Sequence, residues 1–123
     1  MQDNITIIIP ILNEEENIGL LIDEIFKEYW NINILIIDDF SNDNWVKIVR
    51  DKINEYWNNL KIYVKDNKKY KWLTSSIILG IENIKTDYFI VMDWDFQHPI
   101  ENIKNFIEFF KQWKNLVIWE RKK

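Results

Sequence analysis

Residues 5–9 read Ile-Thr-Ile-Ile-Ile, and Pro10 follows them directly. The run is β-branched throughout and does not alternate between apolar and polar residues, which is typical of a strand that is buried on both faces. We expect Pro10 to end this strand, because proline has no N–H to donate to a sheet. A strand of this kind indicates a sheet that is covered by helices on both faces.

Strand-like and helix-like segments alternate from this run to the end of the chain. Apolar residues at three- and four-residue spacing predict a helix over residues 15–30. The remaining predictions are strands at 34–37, 61–64, 88–92 and 116–119, and helices at 46–57, 73–84 and from Pro99 to Trp113. This order predicts a doubly wound α/β fold with a mainly parallel sheet and helices on both faces. No linker or repeat interrupts it, so residues 1–123 are predicted to form a single domain.

Composition limits the classes of ligand that the chain is expected to bind. The net charge is −4 and argues against nucleic acid as a partner, because phosphate backbones are held by clustered Lys and Arg. The chain has no cysteine, which excludes disulfides and Cys-ligated zinc or iron–sulfur sites. Any metal must then be held by carboxylate, amide or imidazole groups, which favours Mg²⁺ or Mn²⁺.

The expected cellular location follows from two absences in the sequence. No run approaches the roughly 18–20 apolar residues that cross a bilayer. The first residues also lack the charged-then-apolar order of a signal peptide. We therefore expect a cytoplasmic chain, and the basic stretch 65–71 is either a solvated loop or a contact with a membrane surface.

Two carboxylates follow the predicted strand 88–92. Asp93 and Asp95 flank Trp94, and residues two apart in an extended chain point to the same side. A divalent cation between them would remove their mutual repulsion and leave coordination positions for the phosphates of a ligand. Asp-x-Asp alone is equally compatible with a capping role, so the position after a strand is what favours a diphosphate site.

Polar residues also follow the predicted strand 34–37. Asp38 and Asp39 stand where a ribose or a base could be hydrogen-bonded, although an Asp before Ser and Asn also commonly caps the next helix. His98 is the only histidine, and its place before Pro99 favours a hydrogen bond that fixes a loop over a role in catalysis. Both alternatives stay open at this point.

Three segments taken together resemble family 2 glycosyltransferases, and within them the dolichol-phosphate mannose synthase group. They are IIIPILNEEENIGLLIDEI from residue 7, ILIIDDFSND from residue 34 and DYFIVMDWDFQHPIENI from residue 87. The resemblance covers nearly the whole chain and implies a nucleotide-diphospho-sugar transferase-like (GT-A) fold. Family members continue well beyond the fifth strand, near which this sequence stops.

The resemblance implies a nucleotide-sugar site made of ten residues. They are Pro10, Leu12, Glu14, Ile37, Asp39, Asp93, Trp94, Asp95, Gln97 and Arg121. Asp93 and Asp95 would be the catalytic pair and, with Gln97, would hold the Mg²⁺ or Mn²⁺ ion. Where the family usually has glycine, this chain has Phe40, Trp72 and Thr74.

The reaction implied by the resemblance is sugar transfer from a nucleotide-sugar donor, such as GDP-mannose or a UDP-sugar. The acceptor is expected to be a polyprenyl phosphate at a membrane surface, and inversion at the sugar carbon is expected. One alternative is a weakly catalytic binding module, or a half-enzyme completed by a partner chain or a homo-oligomer. A phosphoacceptor receiver domain is a third reading, because such domains also place aspartates after strands.

Overall fold

A computed structural model of the chain describes residues 2–11, 15–38, 45–64, 73–92 and 101–112. Strands and helices alternate in this part of the chain as β1 Ile5–Ile11, α1 Glu15–Glu28, β2 Asn33–Asp38, α2 Trp45–Tyr56, β3 Leu60–Val64, α3 Leu73–Asn83, β4 Tyr88–Val91 and α4 Glu101–Gln112. Short 3-10 turns at Gln2–Asn4 and Trp57–Asn59 precede β1 and β3. The predicted fifth strand at 116–119 lies outside the described residues.

The four strands form one parallel sheet in the order β3-β2-β1-β4. From β1 the chain moves outward through β2 to β3, and it then crosses back to place β4 on the other side of β1. All four strands end at the same edge, which we call the carboxyl edge. The topological switch point therefore lies between β1 and β4, where parallel α/β sheets commonly bind their ligands.

Side chains of β1 alternate between two apolar layers. Ile5, Ile7, Ile9 and Ile11 pack into a core shared with α1, α2 and α4. Ile8 faces the opposite side, where it packs with Leu35, Ile37 and Val91 beneath α3. Helices thus cover both faces of a parallel sheet, as the apolar strands predicted.

Helices α1 and α2 are joined by a polar cluster and an aromatic pair. Lys52 Nζ lies 2.7 Å from Asp23 Oδ2, and the Tyr56 hydroxyl donates a hydrogen bond of 2.6 Å to Asp23 Oδ1. The rings of Phe26 and Tyr56 stack with their centroids 4.3 Å apart. The two helices therefore pack as one layer over the sheet.

Pro10 does not end the first strand, contrary to the sequence prediction, since β1 continues to Ile11. The Met92 backbone N–H donates to the Ile8 carbonyl at 3.0 Å, so the backbone groups of Ile8 face β4. Pro10, two residues later, faces the same side, but β4 has already ended at Val91. Its missing N–H therefore removes no bond from the β1–β2 ladder, and the strand tolerates the proline.

Three aromatic residues that stand at or next to the apolar stripes of their helices are exposed instead of packed in the core. Trp30 is 76% exposed because α1 ends at Glu28, before the apolar stripe reaches it. Trp57 is 75% exposed because α2 ends at Tyr56 and Trp57 turns away with a φ of 53°. Phe109 is 41% exposed because α4 is buried along Ile103, Ile107 and Phe110, a stripe that bypasses it.

Within the described residues, no helix is both long and apolar enough to traverse a bilayer.

Candidate functional site

Most of the predicted site residues lie at the carboxyl ends of the strands or follow them in the sequence. The segments 12–14, 39–44 and 65–72 come directly after β1, β2 and β3, and the segment 93–100 comes one residue after β4. Pro10 and Ile37 are described, and the other eight predicted residues lie outside the described ranges: Leu12, Glu14, Asp39, Asp93, Trp94, Asp95, Gln97 and Arg121. Their assignment to the site remains a prediction.

The structure brings Pro10 and Ile37 together. They are paired neighbours in the parallel register of β1 and β2, and both are buried. Ile37 belongs to the apolar layer beneath α3, so its paired neighbour Pro10 lies on the same face of the sheet. These two residues form an apolar platform at the carboxyl edge, on the side that α3 covers.

Asp38 is the last residue of β2, and its side chain is only 2% exposed. It pairs with Ile11 of β1 and Val64 of β3, so it occupies the middle of the carboxyl edge. Asp39, the predicted ribose or base contact, follows it in the chain. The alternative that these aspartates cap the next helix stays open, because the segment before α2 lies outside the described residues.

The switch point lies between the two strands, β1 and β4, that precede the predicted nucleotide-binding and metal-binding segments in the sequence. The bond from Met92 to Ile8 continues the β1–β4 ladder just past Val91. The next residue of β1 that faces β4 is Pro10, which has no N–H with which to extend the ladder. In the sequence, Leu12 and Glu14 follow β1, and the Asp93–Gln97 segment follows β4, so the two strands that flank this point are the ones that precede these segments.

The predicted metal ligands have the right chemistry for Mg²⁺ or Mn²⁺. Asp93, Asp95 and Gln97 offer two carboxylates and one amide oxygen, and hard divalent cations prefer oxygen donors. Among the described residues, no group of three or more His, Asp or Glu side chains could hold a metal ion. The donor set therefore fits the ion, and its geometry lies outside the described ranges.

Two residues of α3 line this side of the sheet, and sequence reasoning missed one of them. A Cβ on Gly80 would come within 2.7 Å of the Ile8 Cγ2 atom, so the glycine lets the helix lie close to β1. Ser76, one turn earlier, is 1% exposed and buried. The available signal was a serine in the apolar stripe that includes Ile77 and Ile84, both of which pack against the layer of Ile8, Leu35, Ile37 and Val91.

A sequence profile of glycosyl transferase family 2 matches residues 6–123. A dolichol-phosphate mannosyltransferase of Pyrococcus furiosus is 34% identical over 120 residues, which are 95% of this chain and 33% of that protein. An undecaprenyl-phosphate 4-deoxy-4-formamido-L-arabinose transferase of Pectobacterium atrosepticum is 29% identical over 118 residues, 93% of this chain and 36% of that protein. The chain thus spans about one third of the length of the relatives that it matches.

A solved structure has the same fold. It is a mannosyltransferase from Pyrobaculum calidifontis in complex with GDP-Man and Mn²⁺, with a TM-score of 0.74 and 16% identity over 87% of this chain and 32% of that one. This similarity supports the GT-A arrangement of the parallel sheet. With the sequence match over residues 6–123, it follows that the chain belongs to glycosyl transferase family 2.

Proposed function

We propose that this chain binds a nucleotide-sugar donor at the carboxyl edge and supplies the donor half of a glycosyltransferase. The observation that carries the proposal is the position of the switch point between β1 and β4, the two strands after which the Leu12–Glu14 and Asp93–Gln97 segments follow in the sequence. Family membership adds support, because the relatives named above are sugar transferases.

The proposed donor is a nucleoside diphosphate sugar such as GDP-mannose or a UDP-sugar. Support comes from the solved relative, which is described as a complex with GDP-Man and Mn²⁺. The apolar platform of Pro10 and Ile37 would support the nucleoside, and Asp39 would accept a hydrogen bond from it. Arg121 would contact the diphosphate, because a guanidinium pairs well with phosphate oxygens.

The proposed metal ligands are Asp93, Asp95 and Gln97. The bound ion would supply electrostatic stabilisation of the charge that develops on the leaving nucleoside diphosphate. Asp93 and Asp95 would also orient the diphosphate through that shared site. Since their negative charges would otherwise repel the donor, binding should depend on the ion.

The proposed acceptor is a polyprenyl phosphate at a membrane surface. Two of the relatives are named for transfer to dolichol phosphate or undecaprenyl phosphate. A phosphate acceptor is already largely ionised near neutral pH, so this chain would not need a strong general base. The chain would then work in the cytoplasm, at the periphery of the membrane.

Calorimetric titration of GDP and UDP, with and without MnCl₂, tests the donor site. We expect binding only in the presence of the metal ion, and we expect Asp95→Ala to abolish the metal-dependent part. Asp51→Ala is the matched control, because Asp51 is an exposed carboxylate on α2, away from the carboxyl edge. Metal-independent binding that Asp95→Ala leaves unchanged would contradict the site assignment.

A second experiment separates the enzyme from a binding module. A panel of sugar nucleotides is incubated with vesicles that contain polyprenyl phosphate, and the lipid products are analysed. Detection of a sugar on the lipid supports the proposal that the chain is an active glycosyltransferase. Binding without transfer favours a module or a half-enzyme that needs a partner chain. Labelling of Asp38 or Asp39 by acetyl phosphate would instead favour the receiver domain.

A further inference from the structure

Ser76 carries a buried hydroxyl without a visible purpose in the packing. Its side chain is 1% exposed, and Oγ has no hydrogen-bond partner among the described residues. A buried hydroxyl that forms no hydrogen bond destabilises a fold, and serine inside a helix usually bonds back to its own helix or faces solvent. If only a small side chain were needed here, alanine would fill the position without that cost.

The position of Ser76 follows from its neighbours. Helix α3 runs from the carboxyl end of β3 to the amino end of β4, so its first turns lie nearest the carboxyl edge. Gly80 sits against Ile8, and Ser76 lies one turn earlier on the same helix face, about 6 Å nearer that edge at 1.5 Å per residue. Along β1, two residues from Ile8 also cover about 6.6 Å and reach Pro10. These distances place Ser76 at the level of the platform formed by Pro10 and Ile37.

We propose that the Ser76 hydroxyl hydrogen-bonds the nucleoside part of the bound nucleoside diphosphate. The inference rests on the proposed function, and it adds a residue that no sequence motif assigned. Helix α3 packs over β1 and β2 on the side of Ile37, an expected nucleoside contact, whereas the expected metal ligands follow β4 in the sequence. A hydroxyl both donates and accepts, so it suits a base carbonyl, a ring nitrogen or a ribose hydroxyl. Because Oγ is covered in the ligand-free chain, the bond requires a local adjustment at the first turns of α3.

The test compares nucleotide affinity and stability in the same variant, Ser76→Ala. We expect the affinity for GDP or UDP with Mn²⁺ to fall roughly 2- to 13-fold, the usual effect of losing one hydrogen bond. The affinity for inorganic pyrophosphate with Mn²⁺ should not change, because pyrophosphate lacks the nucleoside. The melting temperature of the ligand-free chain should stay the same or rise, since an unsatisfied hydroxyl has been removed.

Thr6→Val is the matched control, because the Thr6 hydroxyl is also buried beneath the same face but has a partner. Its Oγ1 lies 2.6 Å from the Thr86 Oγ1, at the opposite edge of the sheet. This variant should melt at a lower temperature and bind nucleotide with unchanged affinity, the reverse of the result for Ser76→Ala.

The outcomes separate this inference from the proposed function. If the unaltered chain binds no nucleoside diphosphate, the proposed function fails and the inference fails with it. If it binds, and Ser76→Ala binds equally well, only the role of Ser76 is overturned. A loss of several degrees in the melting temperature of ligand-free Ser76→Ala would overturn it too, because the hydroxyl would then have a structural partner.

Discussion

At the scale of single residues, the contact between α3 and the sheet depends on the absence of a side chain at Gly80. A Cβ there would meet the Ile8 side chain at 2.7, 3.1 and 3.4 Å, in a layer where Ile8 is fully buried. We expect Gly80→Ala to lower the free energy of unfolding by about 1 kcal/mol, because overpacking of about 1–3 kcal/mol exceeds the roughly 1 kcal/mol gained in helix propensity. Urea denaturation followed by circular dichroism measures the change.

Gly19→Ala is the control for this prediction. A Cβ at Gly19 would meet the Lys52 Cε atom at 3.1 Å and the Ile48 Cγ2 atom at 3.3 Å. The lysine chain is flexible and can move, so the gain in helix propensity should dominate and the stability should hold or rise. Equal destabilisation by the two substitutions would show that the contact with Ile8 is not the cause.

At the scale of elements, the junction of α1 and α2 should make stability depend on pH. Partial burial raises the pKa of Asp23, but hydrogen bonds from Lys52 and Tyr56, with the lysine charge, outweigh it and leave the pKa below its ordinary value of 3.8. A carboxyl whose pKa is lower in the folded chain stabilises the fold above the unfolded pKa of about 3.9, and this contribution is lost as the pH falls through the folded pKa. Asp23→Asn should therefore reduce stability near neutral pH and have little effect in acid.

The size of this effect should be modest, because the Asp23 side chain is 44% exposed. We expect a difference in the free energy of unfolding of under about 1 kcal/mol at neutral pH. Urea denaturation from pH 2.5 to 7 measures it, with Lys52→Met/Tyr56→Phe as the background in which Asp23→Asn should no longer reduce stability near neutral pH, because only burial, which raises the Asp23 pKa, would act there. A difference that persists unchanged at pH 2.5 would contradict the assignment to the Asp23 charge.

The same junction should also make the stability of the fold depend on pH in the alkaline range. Burial raises the pKa of Tyr56, as do its hydrogen bond to Asp23 and the charges of Asp23 and Glu55. A phenol whose pKa is higher in the folded chain stabilises the fold below the unfolded pKa of about 10, and the contribution is lost as the pH rises beyond it. The stabilising contribution of this cluster should accordingly be greatest between its acid and alkaline limits.

At the scale of the whole molecule, one core should produce one unfolding transition. The larger apolar layer takes residues from all four strands and from α1, α2 and α4, so none of these elements can separate from the others without exposing it. We expect the transitions followed by far-ultraviolet circular dichroism and by tryptophan fluorescence to coincide in urea. Two separated midpoints would contradict the prediction that residues 1–123 form a single domain.

Much of the architecture could be predicted from local sequence because periodicity is a local property. The apolar runs at 5–9 and 34–37 predicted buried strands, and the spacing in 15–30 predicted a helix, since each pattern reflects the geometry of its own element. Element ends were less predictable. Pro10 was expected to stop β1, but whether a proline breaks a strand depends on whether a partner strand lies beside its nitrogen, and here β4 has ended.

The sequence by itself determined the order of strands and helices, the family and the residues proposed to bind a diphosphate, because motifs and periodicity are written in neighbouring residues. Only the tertiary structure decided the strand order β3-β2-β1-β4, and with it the switch point between β1 and β4. It also decided that Trp30 is exposed and that the Ser76 hydroxyl is buried with no hydrogen-bond partner among the described residues. These features depend on contacts between segments that are distant along the chain, and no local pattern records which segments will meet.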